Sequence, residues 1–210
     1  MPVMQQHLDH ALDQIAEIRR AVSRGQVFRG YRAQTTALTG VLAIVVAALQ
    51  PMIVPHPWLQ LPLYLALWGG LALVCAAIFG TELVIRMRRL ASPLQTERTA
   101  DAVERFIPSL AAGAILTVVY FRFLTPQSWM LPGLWAVCFS LGIFASRTLL
   151  PRGIAPVGGY YLIAGCMNLV LARGPHHAFS PWAMGLTFGI GQLLAAAVLY
   201  WNLERRHGGQ

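Results

Sequence analysis

The sequence predicts an all-α fold: a polytopic membrane bundle of six transmembrane helices arranged as three hairpins, preceded by an amphipathic cytoplasmic helix. Three observations predict it. Of the 210 residues, 56% are hydrophobic and 11% charged, against about 25% charged in an average soluble domain. Apolar residues gather in uncharged tracts such as LPLYLALWGGLALVCAAIFG, residues 61–80, and about 20 residues at 1.5 Å each cross a hydrocarbon core. The 16 cations, all of them arginine, sit mainly between alternate tracts. One membrane domain over residues 31–203 follows, flanked by a helix over 1–30 and a tail over 204–210.

The first element is the stretch MQQHLDHALDQIAEIRRAVSRG, in which Leu8, Leu12, Ile15, Ile18 and Val22 recur at three- and four-residue steps. Its acidic residues come early and its arginines late, the order a helix dipole favours. It is too polar to span a bilayer, so it lies on the inner surface, packs on the bundle or meets a partner protein through residues 4–27. A basic start running straight into an apolar core, the mark of a signal peptide, is missing.

Six spans follow, at about 33–54, 61–85, 107–124, 130–146, 154–172 and 182–201. Between the second and third, Ser92-Pro93-Leu94-Gln95 carries a cap, a first-turn proline and a reciprocal glutamine. That predicts a short amphipathic cytoplasmic helix bearing Glu97, Arg98, Asp101, Glu104 and Arg105, with Pro108 kinking or delimiting the start of the third span. Arginine then sets the orientation. With a cytoplasmic N-terminus, fourteen arginines fall inside and only Arg122 and Arg173 outside, which the positive-inside rule favours. Both termini are expected to be cytoplasmic.

That threading exposes an internal pattern. Spans two, four and six begin near a tryptophan and a proline, at Trp58, Trp129 and Trp182. Spans one, three and five follow Arg32, Arg105 and Arg152, with Gly40, Gly113 and Gly159 seven or eight positions later. Three hairpins derived from one another would leave this pattern. Convergence would leave it too, because tryptophan favours interfaces and arginine the inner ends of spans.

Composition excludes several chemistries. Without lysine there is no Schiff base and no P-loop lysine. The net charge of +8 is accounted for by cytoplasmic arginines rather than by nucleic acid binding. Cys75, Cys138 and Cys166 lie inside apolar tracts without CxxC spacing and read as small buried residues. No HExxH, GxSxG or GxxxxGK[ST] motif is present, so no enzyme, cofactor or metal is expected.

On the outer side the candidate ligand site comprises Arg122, Arg173, His56, His176 and His177, with Trp129 and Trp182 at the interface. All eight carboxylates fall on the inner side or at inner helix ends. Three histidines and a water would suit zinc, but no carboxylate offsets its charge and two arginines repel it. The same balance suits a small anion or a lipid headgroup, which Arg122 in VVYFRF would grip bidentately; snorkelling to lipid is the plainer reading. Glu82 lies within the second span with Arg86 four residues on, in the favourable order for an ion pair. Gly185, Gly189 and Gly191, with Asn168 and Gln192, suit close helix packing and hydrogen bonds across it; a homodimer is compatible with the same spacing.

Residues 18–44, 128–147 and 180–201 resemble segments of a group of small, uncharacterised bacterial integral membrane proteins of six spans. The resemblance runs through most of the chain in order, on tryptophan, proline and glycine at helix ends. It implies a bacterial inner-membrane protein, and a sensory or regulatory role, because some members are encoded beside winged-helix regulators. Two functions are therefore expected. The first is a non-enzymatic inner-membrane accessory or sensory subunit that binds a lipid or small anion on the outer side. The alternative is a small transporter or substrate-binding membrane subunit. Scarce buried charge favours the first.

Overall fold

A computed structural model describes residues 33–90, 93–147, 152–172, 177 and 179–201. The N-terminal helix expected over 1–30, with its partner segment 4–27, lies outside the described residues, as does the tail 204–210. Helix α1 is Ala33–Ile53, α2 Leu61–Leu90, α3 Pro93–Phe123, α4 Leu131–Ser146 and α5 Ala155–Leu171. The last helix, α6, spans Pro181–Leu199. No strand occurs among the described residues.

Among the described residues, five segments are long and apolar enough to cross a membrane: Ala33–Ile53, Leu61–Ile85, Val103–Phe123, Thr125–Ser146 and Pro181–Leu199. Helix α5, at 17 residues, is shorter. A single 3₁₀ turn, Arg152–Ile154, runs into it. The chain is a helical membrane protein in its composition and element lengths, and apolar side chains such as Leu73, Ile115, Phe123 and Ile163 stand exposed on its outer faces. In water that surface would be costly; against lipid tails it is not.

Helix α3 differs from expectation. Instead of a short helix followed by a span, one helix starts at Pro93 and runs through Pro108 to Phe123. A proline removes one backbone donor, and in a helix of 31 residues the remaining bonds carry the chain past it. Pro93 itself stands at the first helical position, where its missing N–H is not needed.

The largest contacts join α4 to α5, α3 to α4, and α1 to α6, with α2 against α1 and α6 against α5. Close approach depends on bare backbone. A side chain on Gly185 would strike Cβ of Ala47, and one on Gly40 would come within 2.9 Å of the Gly189 carbonyl. Across α4 and α5, Gly133 and Gly165 face each other's carbonyls at 2.8 Å from where a Cβ would stand.

Among the described residues, two clusters form the core. One, at the end where α1 finishes and α2 begins, contains Ala47, Val54, Leu61, Tyr64, Trp68, Ala172, Phe179 and Met184. The second contains Ala136, Ile143, Ile154, Val157 and Tyr161. Phe188 packs on both, and its ring meets Phe139 and Tyr161 with centroids 5.7 and 5.5 Å away.

Helix α6 carries a π-helical segment, Gly185–Ile190. Wider π turns leave carbonyls without their usual α partners, and α5 supplies substitutes. Asn168 Nδ2 donates to the Ala183 carbonyl at 3.1 Å and to Thr187 Oγ1 at 3.0 Å. Tyr160 Oη donates to the Leu186 carbonyl at 2.8 Å. The wide turn is thus held by side chains of its neighbour.

Candidate functional site

Three loops meet at one end of the bundle: the α1–α2 loop, the α3–α4 connection and the segment leading into α6. Each is shaped locally. After Val54, whose N–H reaches the Gln50 carbonyl at 2.7 Å, a turn forms in which the Leu59 and Gln60 N–H groups donate to the His56 carbonyl. The α3–α4 connection is a 3₁₀ helix, Thr125–Met130, with a proline in its first turn. Ser180 precedes Pro181 in extended backbone, and Pro181 opens α6, where proline suits the first helical position.

A polar relay ties one of these loops to two helices. Gln50 is 1% exposed. Its Nε2 donates to the Phe179 carbonyl at 2.9 Å, and its Oε1 accepts from Trp68 Nε1 at 2.9 Å. One amide thus joins α1, α2 and the segment before α6. The Phe179 ring adds an edge contact to Tyr64, centroids 4.7 Å apart, and a tilted contact to Trp58 at 5.7 Å.

Beside this junction is a cavity of about 330 Å³, lined by Trp58, Leu61, Thr125, Pro126, Ser128 and Phe179. Every one of the three loops contributes to it. Its described lining carries no charged side chain. Ser128 is 1% exposed, and its hydroxyl has no hydrogen-bond partner among the described residues. Thr125 Oγ1 already donates to the Phe121 carbonyl at 3.0 Å.

The residues expected from sequence are scattered around this junction. Arg122 is exposed near the end of α3, and His56 and His177 are exposed on their loops. Trp182 is half-exposed, and Trp129 packs against the first core cluster. None of these five lines the cavity. Arg173 and His176 lie outside the described residues. No three His, Cys, Asp or Glu side chains gather as metal ligands among the described residues.

The remaining expected residues fall within the bundle. Gly185 and Gly189 face Ala47 and Ile44 of α1, while Gly191 faces the Tyr161 ring of α5. Cβ of Gln192 approaches Gly40, and Asn168 bonds to α6 as described above. Glu82 is partly buried in the second half of α2; the Arg86 side chain lies outside the described residues.

Sequence reasoning passed over Gln50, Trp68, Ser128 and Phe179. Signals for two of them were present. Gln50 is the one amide deep in α1, in AALQPMI, and a lone amide in an apolar run needs a partner. Phe179 is the only large apolar residue of GPHHAFS, just before a helix start, where such a residue commonly packs back onto the protein. Both partners are remote in sequence, so the pairing itself was not readable. No family model, curated protein or solved structure matches the chain.

Proposed function

We propose that this chain is a non-enzymatic accessory or sensory subunit of a bacterial inner membrane, with six spans and both termini cytoplasmic, that binds a small ligand or lipid at its outer end. The observation that carries this reading is the meeting of three loops around one cavity and one buried relay. Loops that follow α1, α3 and α5 share one end only if the chain returns through α2, α4 and α6. That supports α5 as a sixth crossing. Together with its leading turn, residues 152–171, it reaches ~30 Å, about the thickness of a hydrocarbon core.

Charge supports the orientation. Among the described arginines, Arg88, Arg105 and Arg147 stand exposed toward the far ends of the apolar segments, and Arg122 stands near the loops. Arginine-rich ends favour the cytoplasmic side. Arg122, one turn before Thr125, is placed to meet lipid phosphate. The ring contacts of Phe139, Tyr161 and Phe188 fill the middle of the bundle, which favours a subunit over a transporter.

Native mass spectrometry on protein gently extracted from its own host membrane tests the reading. A retained partner protein, released by Leu12→Asp or Ile15→Asp, is the expected result. Extraction of a bare chain with neither partner nor lipid would overturn it.

A further inference from the structure

The loop-end cavity is built more like a site for an uncharged molecule than for an anion. Its volume of about 330 Å³ falls within the ~300–1,000 Å³ of small-molecule pockets. The Trp58 and Phe179 rings, with centroids 5.7 Å apart and planes tilted by 50°, form an aromatic corner, and Leu61 and Pro126 extend the apolar lining. An anion placed there would lose its hydration with no cation among the described lining residues to replace it. A bare alkyl chain would satisfy the apolar lining but leave the Ser128 hydroxyl unpaired. That hydroxyl is covered and without a partner among the described residues, and it can donate one hydrogen bond.

We propose that this cavity binds the flat, uncharged ring of an amphiphile whose ring carries hydrogen-bond acceptors, the chemistry of a quinone headgroup. The ring face packs on Trp58, the more exposed of the two aromatics, with the Phe179 ring at its edge, and a ring carbonyl accepts from Ser128. No electron transfer is part of the proposal. The inference rests on reading the loop-bearing end as a ligand site, and it names the class of ligand. The ring could arrive on a tail dissolved in the bilayer or free from the aqueous side; the cavity chemistry is the same for both.

The full chain in phosphatidylcholine nanodiscs is titrated with 2,3-dimethoxy-5-methyl-1,4-benzoquinone, once bearing a decyl tail and once without it. Saturable quenching of tryptophan emission and the thermal midpoint are read together. The expected result is saturable quenching by at least one probe, with a raised midpoint. Quenching by the tailed probe alone assigns the bilayer as the source, and equal quenching by both assigns the aqueous side.

Thr125→Phe, at an exposed position on the cavity lining, fills the space and should weaken binding more than 10-fold. Ser128→Ala should weaken it about 3- to 10-fold, the range for one hydrogen bond. Leu59→Ala, on an exposed side chain away from the lining, should leave it unchanged. Unliganded midpoints near that of the parent certify the fold of each variant; if Ser128→Ala lowers its own midpoint, Thr125→Phe decides. Absence of saturable quenching by both probes overturns the proposal. So does parent-like binding by Thr125→Phe, or displacement of the probe by phosphatidylglycerol. A retained partner protein without ring binding would refute the ligand class while leaving the subunit reading standing.

Discussion

Replacing Gln50 by leucine should be among the most damaging conservative changes at the loop-bearing end. The amide is 1% exposed, and both of its hydrogen bonds, to Phe179 and Trp68, are 2.9 Å long. Leucine matches it roughly in size but offers neither donor nor acceptor. The indole N–H of Trp68, a residue 3% exposed, and the carbonyl of Phe179, 4% exposed, would then be stranded. Each stranded buried group costs about 1–3 kcal/mol, and burying the apolar leucine side chain returns about 1 kcal/mol. The net loss is therefore about 1–5 kcal/mol. Unfolding by SDS in mixed micelles, followed by tryptophan emission, measures it. Trp68→Phe removes the indole donor, so combining it with Gln50→Leu should fall short of additivity by about 1 kcal/mol. A loss below ~0.5 kcal/mol for Gln50→Leu, or strict additivity in the pair, would refute the relay as a structural tie.

Three further expectations concern the bundle. Gly185→Ala drives a methyl onto Cβ of Ala47, a short side chain that cannot swing aside, and should destabilise by about 1–3 kcal/mol; Gly69→Ala and Gly80→Ala, which meet nothing within 4 Å, should be neutral or gain up to ~1 kcal/mol from helix propensity in the same SDS assay. Asn168→Ala withdraws the donor to Ala183 and Thr187 and should cost about 1–3 kcal/mol, with faster amide exchange over residues 185–190, whereas Tyr160→Phe loses a single bond at an accessible site and should cost ~1 kcal/mol or less. For topology, cysteines placed at Leu59 and at Thr125, in a background where the three native cysteines are serine or alanine, should react with an impermeant maleimide in intact spheroplasts, while one at Arg88 should react only after permeabilisation; the reverse pattern would invert the proposed orientation.

Much of the architecture was readable because a bilayer imposes a simple length rule. The tract at residues 61–85 was legible from its run of uncharged side chains, and the structure places the apolar segment at Leu61–Ile85. Pro181 and Trp182 marked the start of α6 in the same way. Helix α3 was less legible. The cap-like Ser92-Pro93 pair located its beginning, but of the kink or boundary expected at Pro108, the boundary is overridden by 31 residues of continuous helix. For the candidate site, sequence and structure draw attention to different residues. Histidines and Arg122 drew attention to the loops because charge and imidazole are conspicuous there, yet the described cavity is lined by Trp58, Phe179 and Ser128 instead.

By itself, the sequence determined the helical membrane character and the approximate ends of the apolar segments. These depend on composition and on spacing along the chain, which short-range physics converts directly into helix and depth. Tertiary structure decided which helices touch, that Gly185 meets Ala47, and that Gln50 links Trp68 to a carbonyl 129 residues away. Those choices turn on complementary shape and on pairing every buried polar group, and both are properties of two surfaces brought together rather than of either one alone.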